Sequence, residues 1–360
     1  MDTPDCRDPS DEPVMPHGGQ RRTLLQGLGA VLAAASVPGT LRAQPERPRV
    51  RLAVGGKATL YYLPLTLAER LGHFRDEGLE VEISDFPGGG KALQALIGGS
   101  ADVVSGAYEH TITMQTLAQK VQAFVLQGTN PGLELGVVRA RAAGYSWPKD
   151  LKGMRIGVSA PGSSTHMFVN HLLASVGLTP DDVAIVGVGT GASAVAAVRG
   201  GQIDALSSVE PVISLLERSG DIRVVHETIT DEGTRRVFGG RLPAATLYAK
   251  AAFIRDNPGT VQALANAMVR TLVWLRTAST ETVMNTLPPE YLLGDRGLYQ
   301  AAFERLRGGY SRDGLFTQKL VDASYQVLLA HNTAVRRAPV LFLSQTWTNA
   351  FAERALARWS

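Results

Sequence analysis

Gly98-Gly99-Ser100-Ala101-Asp102 returns 102 residues later as Gly200-Gly201-Gln202-Ile203-Asp204, and Ser105-Gly106 is answered by Ser207-Ser208 at the same offset. A unit of this length far exceeds the roughly 20–50 residues of a solenoid repeat, so two similar lobes are expected rather than a stack of small units.

Both copies share one grammar. In the first, residues 51–54 read as a strand, followed by Gly55-Gly56 and a helix around 63–71. Residues 79–83 alternate as a strand, Gly88-Gly89-Gly90 opens a helix over 91–97, and 101–104 and 123–126 are further strands. In the second, 154–158 is a strand, 161–165 a loop opening a helix over 166–176, and 182–186 a strand. Gly189-Thr190-Gly191 then opens a helix over 192–199, and 203–206 closes the set. Strands alternating with short helices imply βαβ units and mostly parallel sheets. The extended apolar segments 133–139 and 244–250 flank the second copy and read as crossovers. The expected division is lobe I over 44–137 and 251–360, and lobe II over 138–250 with the hinge strands. From Asn257 the tail reads as helical, and it is expected to pack back on the first lobe.

Ahead of the lobes, Arg21-Arg22 precede a 14-residue apolar run, Leu24 to Val37, and Leu41-Arg42-Ala43 follows. A charged start, an apolar core and a small residue at the cut are the parts of a secretory signal, here expected to be cleaved after Ala43. The run is shorter than the roughly 20 residues that cross a bilayer. The twin arginine leaves both the twin-arginine and the ordinary Sec routes open. Residues 1–14 are acidic and proline-containing, so Met15 is a candidate initiator. Cys6, the only cysteine, precedes the apolar run, where a lipoprotein anchor would not be attached. A periplasmic protein without disulfide or Cys-ligated metal is expected. The net charge of +3, with no basic block longer than a pair, gives no reason to expect a nucleic-acid partner.

Several segments carry a family likeness: Leu67 to Val81, with Gly72-His73-Phe74 and Glu77-Gly78-Leu79, then Asp150-Leu-Lys-Gly-Met-Arg-Ile-Gly-Val158, the two Gly-Gly-x-x-Asp elements, and Glu210-Pro211. Together they resemble the SsuA-like substrate-binding proteins of ABC importers, which take alkanesulfonates, taurine, nitrate and thiamine-pyrimidine precursors. The resemblance spans roughly residues 50–275. It implies a type II periplasmic-binding-protein fold, α/β, with two βαβ lobes joined by two hinge strands and a small organic ligand in the cleft. It also implies an ABC permease and ATPase as partners, a monomer, and no cofactor.

Ligands of open α/β sheets lie beyond the carboxyl ends of the strands. That rule selects the loops carrying Lys57, Tyr61, Tyr62, Phe86, Gly89, Gly90, Tyr108, Glu109 and Asn130 in the first lobe. In the second it selects Ser163, Ser164, Thr165, Thr190, Ser208 and Glu210. Gly88–Gly90, Ser163–Thr165 and Thr190 open helices, and their N–H groups are suited either to anionic oxygens or to ordinary turns and caps. Tyr61, Tyr62, Phe86 and Tyr108 are suited either to walling an apolar ligand or to lobe packing. Lys57 and His110 either pair an anion or face solvent. Glu109 and Glu210 favour the opposite charge: a carboxylate in the cleft repels a sulfonate and attracts an amine, amidine or aminopyrimidine.

Enzyme motifs are weak. Gly187-Val-Gly-Thr-Gly-Ala192 fits a dinucleotide fingerprint, but the duplication accounts for it more simply. Pro161-Gly-Ser-Ser-Thr-His166 lacks the second glycine of a nucleophile elbow. His166 and His171 are five apart, the wrong helical spacing for one metal. Thiamine-pyrimidine-synthesising enzymes that resemble this family carry a cysteine-rich motif, which this chain lacks after Cys6. A sensory protein presenting its ligand to a membrane receptor is the alternative to transport.

Overall fold

The structure is a computed structural model that describes residues 45–359; the expected signal segment, 1–43, lies outside them. Ten strands run through the described residues. They are β1 (Arg49–Val54), β2 (Glu80–Asp85), β3 (Val103–Ala107), β4 (Val121–Leu126) and β5 (Glu134–Val138), then β6 (Arg155–Val158), β7 (Ala184–Gly187), β8 (Ala205–Ser208), β9 (Ile222–Glu227) and β10 (Ala245–Lys250). They form two five-stranded sheets, ordered β2-β1-β3-β10-β4 and β7-β6-β8-β5-β9.

The two sheets repeat each other. In each, three parallel strands are followed by one antiparallel strand that arrives from the other lobe: β10 between β3 and β4, β5 between β8 and β9. β5 therefore carries the chain into the second lobe and β10 returns it. The segment around β10, which the sequence groups with the second lobe, is hydrogen-bonded into the first sheet. β5, grouped with the first lobe, is hydrogen-bonded into the second. This is the two-lobed type II periplasmic-binding-protein arrangement.

The repeated aspartates have the same job in both lobes. Asp102 accepts hydrogen bonds from the Arg51 backbone N–H at 3.0 Å and its guanidinium at 2.8 and 3.1 Å. Asp204 accepts from the Arg155 backbone at 2.9 Å and its guanidinium at 3.1 Å twice. Each clamps the start of one strand to the loop before its neighbour, and both carboxyls are held below their ordinary range, with the arginine as the main stabilising partner.

β1 has Val50, Leu52 and Val54 buried, in one core cluster with Leu264 and Met268 of the 20-residue helix Pro258–Thr277. Burying each such aliphatic side chain stabilises the lobe by about 1.5–3 kcal/mol. Helix Ala350–Trp359 packs against both that helix and β4, with Phe351 beside Phe124. The tail does more than expected, however. Helix Arg296–Leu306 reaches the second lobe through Arg305, and the Asp295 that caps it pairs with Arg218. Helix Gln318–His331 packs on helix Ser164–Ala174, with the His331 and His171 rings 6.0 Å apart. The tail thus straps both lobes rather than one.

Candidate functional site

The carboxyl ends of β1, β3, β6 and β8 point toward one another, so the loops that follow them form the floor and roof of one cleft. Three hydrogen bonds cross it. The Gly90 N–H donates to Ser163 Oγ at 2.9 Å, His110 Nε2 donates to the Gly162 carbonyl at 3.1 Å, and the Leu60 N–H donates to the Glu210 carbonyl at 3.0 Å. This is a closed arrangement in which the lobes meet along a thin polar seam.

Behind the seam lie three small cavities of about 40, 20 and 10 Å³, and Tyr61 lines all of them. Each has room for roughly one to three waters. The first takes in Glu109, Leu133, Ser164, Phe168, Phe238 and His331. The second takes in Tyr62, Gly89, Ser163, Ser164, Thr165, Thr190 and Ser208. Asn130 lines the third. On the other side of the seam is a wider groove of about 710 Å³, lined among others by Gly90, His110, Gly162, Asn170 and His331. The inner cavities are the better candidate site despite their size: they hold most of the strand-end residues and Glu109, whereas of the expected contacts only Gly90 and His110 face the groove.

Local chemistry fixes the protonation of the seam. Tyr248 OH lies 3.0 Å from His110 Nδ1, and Gly162 offers only an acceptor to Nε2. The ring is therefore the neutral Nε2–H tautomer, donating across the seam and accepting from the tyrosine. Burial pushes its pKa down to about 4. Glu109 moves the other way: burial raises it to about 7, against the pull of its own backbone N–H and the Ser164 hydroxyl. The Tyr61 phenol is raised well above its ordinary value by burial and then by the nearby Glu109.

Several other expected contacts sit elsewhere. Lys57 Nζ pairs with Glu69 at 2.6 Å. Phe86 packs in a core cluster with Leu93 and Leu96, and Tyr108, fully buried, joins the same cluster with its OH 2.5 Å from Thr346 Oγ1. Glu210 is also fully buried; its carboxylate accepts from Ser214 Oγ at 2.5 Å, Ser214 N at 3.0 Å and Arg305 at 3.0 Å. A strand-end position selects the loop, not the direction of the side chain.

The sequence reading missed the tail's part in the site. Ser324, Val327, Leu328 and His331 line the Glu109 cavity from helix Gln318–His331. Their i, i+3, i+4, i+7 spacing marks one helical face and was available as a signal. Among the described residues no group of three or more His, Cys, Asp or Glu is placed to hold a metal ion.

A family model described as NMT1/THI5 like matches residues 59–278, more than half the chain. The chain belongs to the NMT1/THI5-like family. A solved structure of a Bordetella bronchiseptica RB50 protein is 47% identical, covers 88% of this chain and 99% of its own, and superposes with a TM-score of 0.84. The alkanesulfonate-binding protein SsuA from Xanthomonas axonopodis pv. citri, bound to MOPS, shares the fold at 20% identity, with 84% of this chain and 99% of that one covered and a TM-score of 0.66. The chain also resembles the 4-amino-5-hydroxymethyl-2-methylpyrimidine phosphate synthase of Schizosaccharomyces pombe, 29% identical over 163 residues, or 45% of each chain. Binders and synthases thus both stand among the proteins it resembles.

Proposed function

We propose that the protein is an exported solute-binding component of an ABC importer, which closes its lobes over a small organic ligand and presents the closed form to a permease–ATPase complex. The observation that carries this reading is the seam. Loops from both lobes meet there through a few direct hydrogen bonds, with Tyr61, Glu109 and Ser164 enclosed behind them. Hinge closure of this kind captures a ligand by replacing its water with loop donors from both sides. The proposed contacts are Tyr61, Tyr62, Gly89, Glu109, Asn130, Ser163, Ser164, Thr165, Thr190 and Ser208. The fold likeness to a protein named as alkanesulfonate-binding and the secretory pattern of residues 21–43 support a periplasmic binder. Binding rather than catalysis is the reading favoured for a chain whose one cysteine is Cys6.

A thermal-shift screen of the full chain against small organic solutes tests it. A ligand at a hundredfold excess over its Kd stabilises the folded state by about 2.7 kcal/mol. A screen in which no solute raises the melting temperature would count against the reading.

His110 offers a second check, because it links closure to pH. Its pKa is depressed in the closed form, so its contribution is complete above the ordinary 6.5 and is lost as pH falls through about 4. His110→Phe keeps a ring but leaves the Gly162 carbonyl and Tyr248 hydroxyl without their partner. Ligand affinity should fall roughly five- to tenfold, in line with one lost hydrogen bond. Affinity that falls between those pH values in the wild type should lose that fall in the variant; an unchanged acid profile would remove His110 from closure.

A further inference from the structure

The inner cavities hold one carboxyl group, that of Glu109. Their lining includes no lysine or arginine. Lys57, the base that the sequence offered to the cleft, is held by Glu69. The Gly90 N–H, one of the helix-start donors suited to an anion, is occupied by Ser163 Oγ. Glu109 remains, lining the first cavity with Ser164, and among the described residues no lysine or arginine forms an ion pair with it. A desolvated carboxylate is costly unless a cation meets it.

Resting on the solute-capture reading, we infer that the ligand is an organic monocation, a protonated amine or amidine on a compact apolar body. Its N–H groups lie on Glu109 and Ser164, and its body lies against Tyr61, Leu133 and Phe168. The guanidinium-free, apolar wall leaves the carboxylate as the one strong recognition element, and tyrosine faces add attraction for a cation.

No neighbour can replace the ligand's charge. The titratable groups around Glu109 are Tyr61 and Tyr62 from the loop after β1, Tyr248 from β10, His331 from helix Gln318–His331, and His110 beside it. Burial raises the three phenols, which stay neutral, and lowers both histidines to about 4, so they too are uncharged at neutral pH. Burial holds Glu109 near 7, and a bound cation favours its ionised form. Cation binding must therefore release a proton below about pH 7, and affinity should rise with pH and level off above that value. A bound anion would do the reverse.

Titration calorimetry on the full chain with benzamidine, benzylamine, benzyl alcohol and benzenesulfonate separates the cases. The two cations are expected to bind, to release a proton in buffers of different ionisation enthalpy, and to lose at least tenfold in affinity in Glu109→Gln. Proton release in the wild type decides the matter even if that variant folds poorly. Binding of the sulfonate or the alcohol in preference to both cations would overturn the inference and leave solute capture standing. So would cation binding that Glu109→Gln does not change. Failure of all four probes at millimolar concentration would overturn it too, and a solute of another class found in the thermal-shift screen would then show that capture itself survives.

Discussion

Alanine at Gly90 is expected to leave both lobes folded and to abolish ligand capture. A β-carbon there would stand 2.5 Å from the Pro161 carbonyl oxygen, 3.1 Å from the Gly162 carbonyl carbon and 3.2 Å from the Ser163 nitrogen. All three are backbone atoms of the opposite lobe, which cannot swing aside as a side chain would. Within its own lobe Gly90 is the second residue of helix Gly89–Gly98, with ordinary helical backbone that alanine accepts. The substitution therefore opposes closure alone. Ligand affinity should fall more than a hundredfold, about 2.7 kcal/mol, while the unliganded melting temperature holds or rises. Unchanged affinity would mean that the lobes do not meet at this seam when ligand is bound. Gly55→Ala provides the contrast: its β-carbon would lie 2.2 Å from Gly88 and Gly89 backbone atoms of the same lobe, so the lobe itself should be disturbed.

Removing Arg305 should destabilise the fold rather than the site. Its guanidinium, 42% exposed, stands 3.0 Å from Glu210 and 3.4 Å from Glu134, two fully buried carboxylates at the hinge. Glu134 Oε2 has no hydrogen-bond partner. Burial raises both carboxyls above their ordinary range, and Glu134 is raised further by Glu210. Breaking a fully buried pair costs about 3–5 kcal/mol, and partial exposure of the arginine reduces the expectation for Arg305→Ala to about 2–3. Raised carboxyls favour the fold below their unfolded pKa and lose that contribution as pH rises. The penalty should therefore be large at neutral pH and shrink as pH falls toward the ordinary 4.5. Adding Glu134→Gln should recover much of it. Urea denaturation across that range measures both effects; a penalty independent of pH and of Glu134 would assign Arg305 a packing role instead.

The duplicated architecture was legible because it is written in local pattern. The Gly-Gly-x-x-Asp elements marked equivalent turns, and Asp102 and Asp204 indeed make the same clamp on Arg51 and Arg155. The alternation over 79–83 and the glycine loops before helices placed the strand ends. What the pattern could not carry was long-range pairing. β10 reads as an apolar segment at the end of the second copy, and only its partners in β3 and β4 reveal where it belongs. The site was half legible for the same reason. Ser163, Ser164 and Thr190 open helices, so their position nearly fixes their direction. Glu210 and Tyr108 follow strands too, yet Ser214 with Arg305 draws one away from the cleft and Thr346 with Phe316 the other. Arg305, Thr346 and Phe316 all come from the tail, while Ser214, four residues after Glu210, is local.

Ligand-driven closure is most directly measured as a distance between spin labels at Gln94→Cys and Asp181→Cys in a Cys6→Ser background. Both positions are exposed, on opposite lobes, with Gln94 and the neighbouring Pro180 lining the outer groove. With the ligand from the thermal-shift screen added, the distance distribution should collapse to one short separation, while without it a longer population should be present. A single distance that no ligand alters would contradict capture by closure.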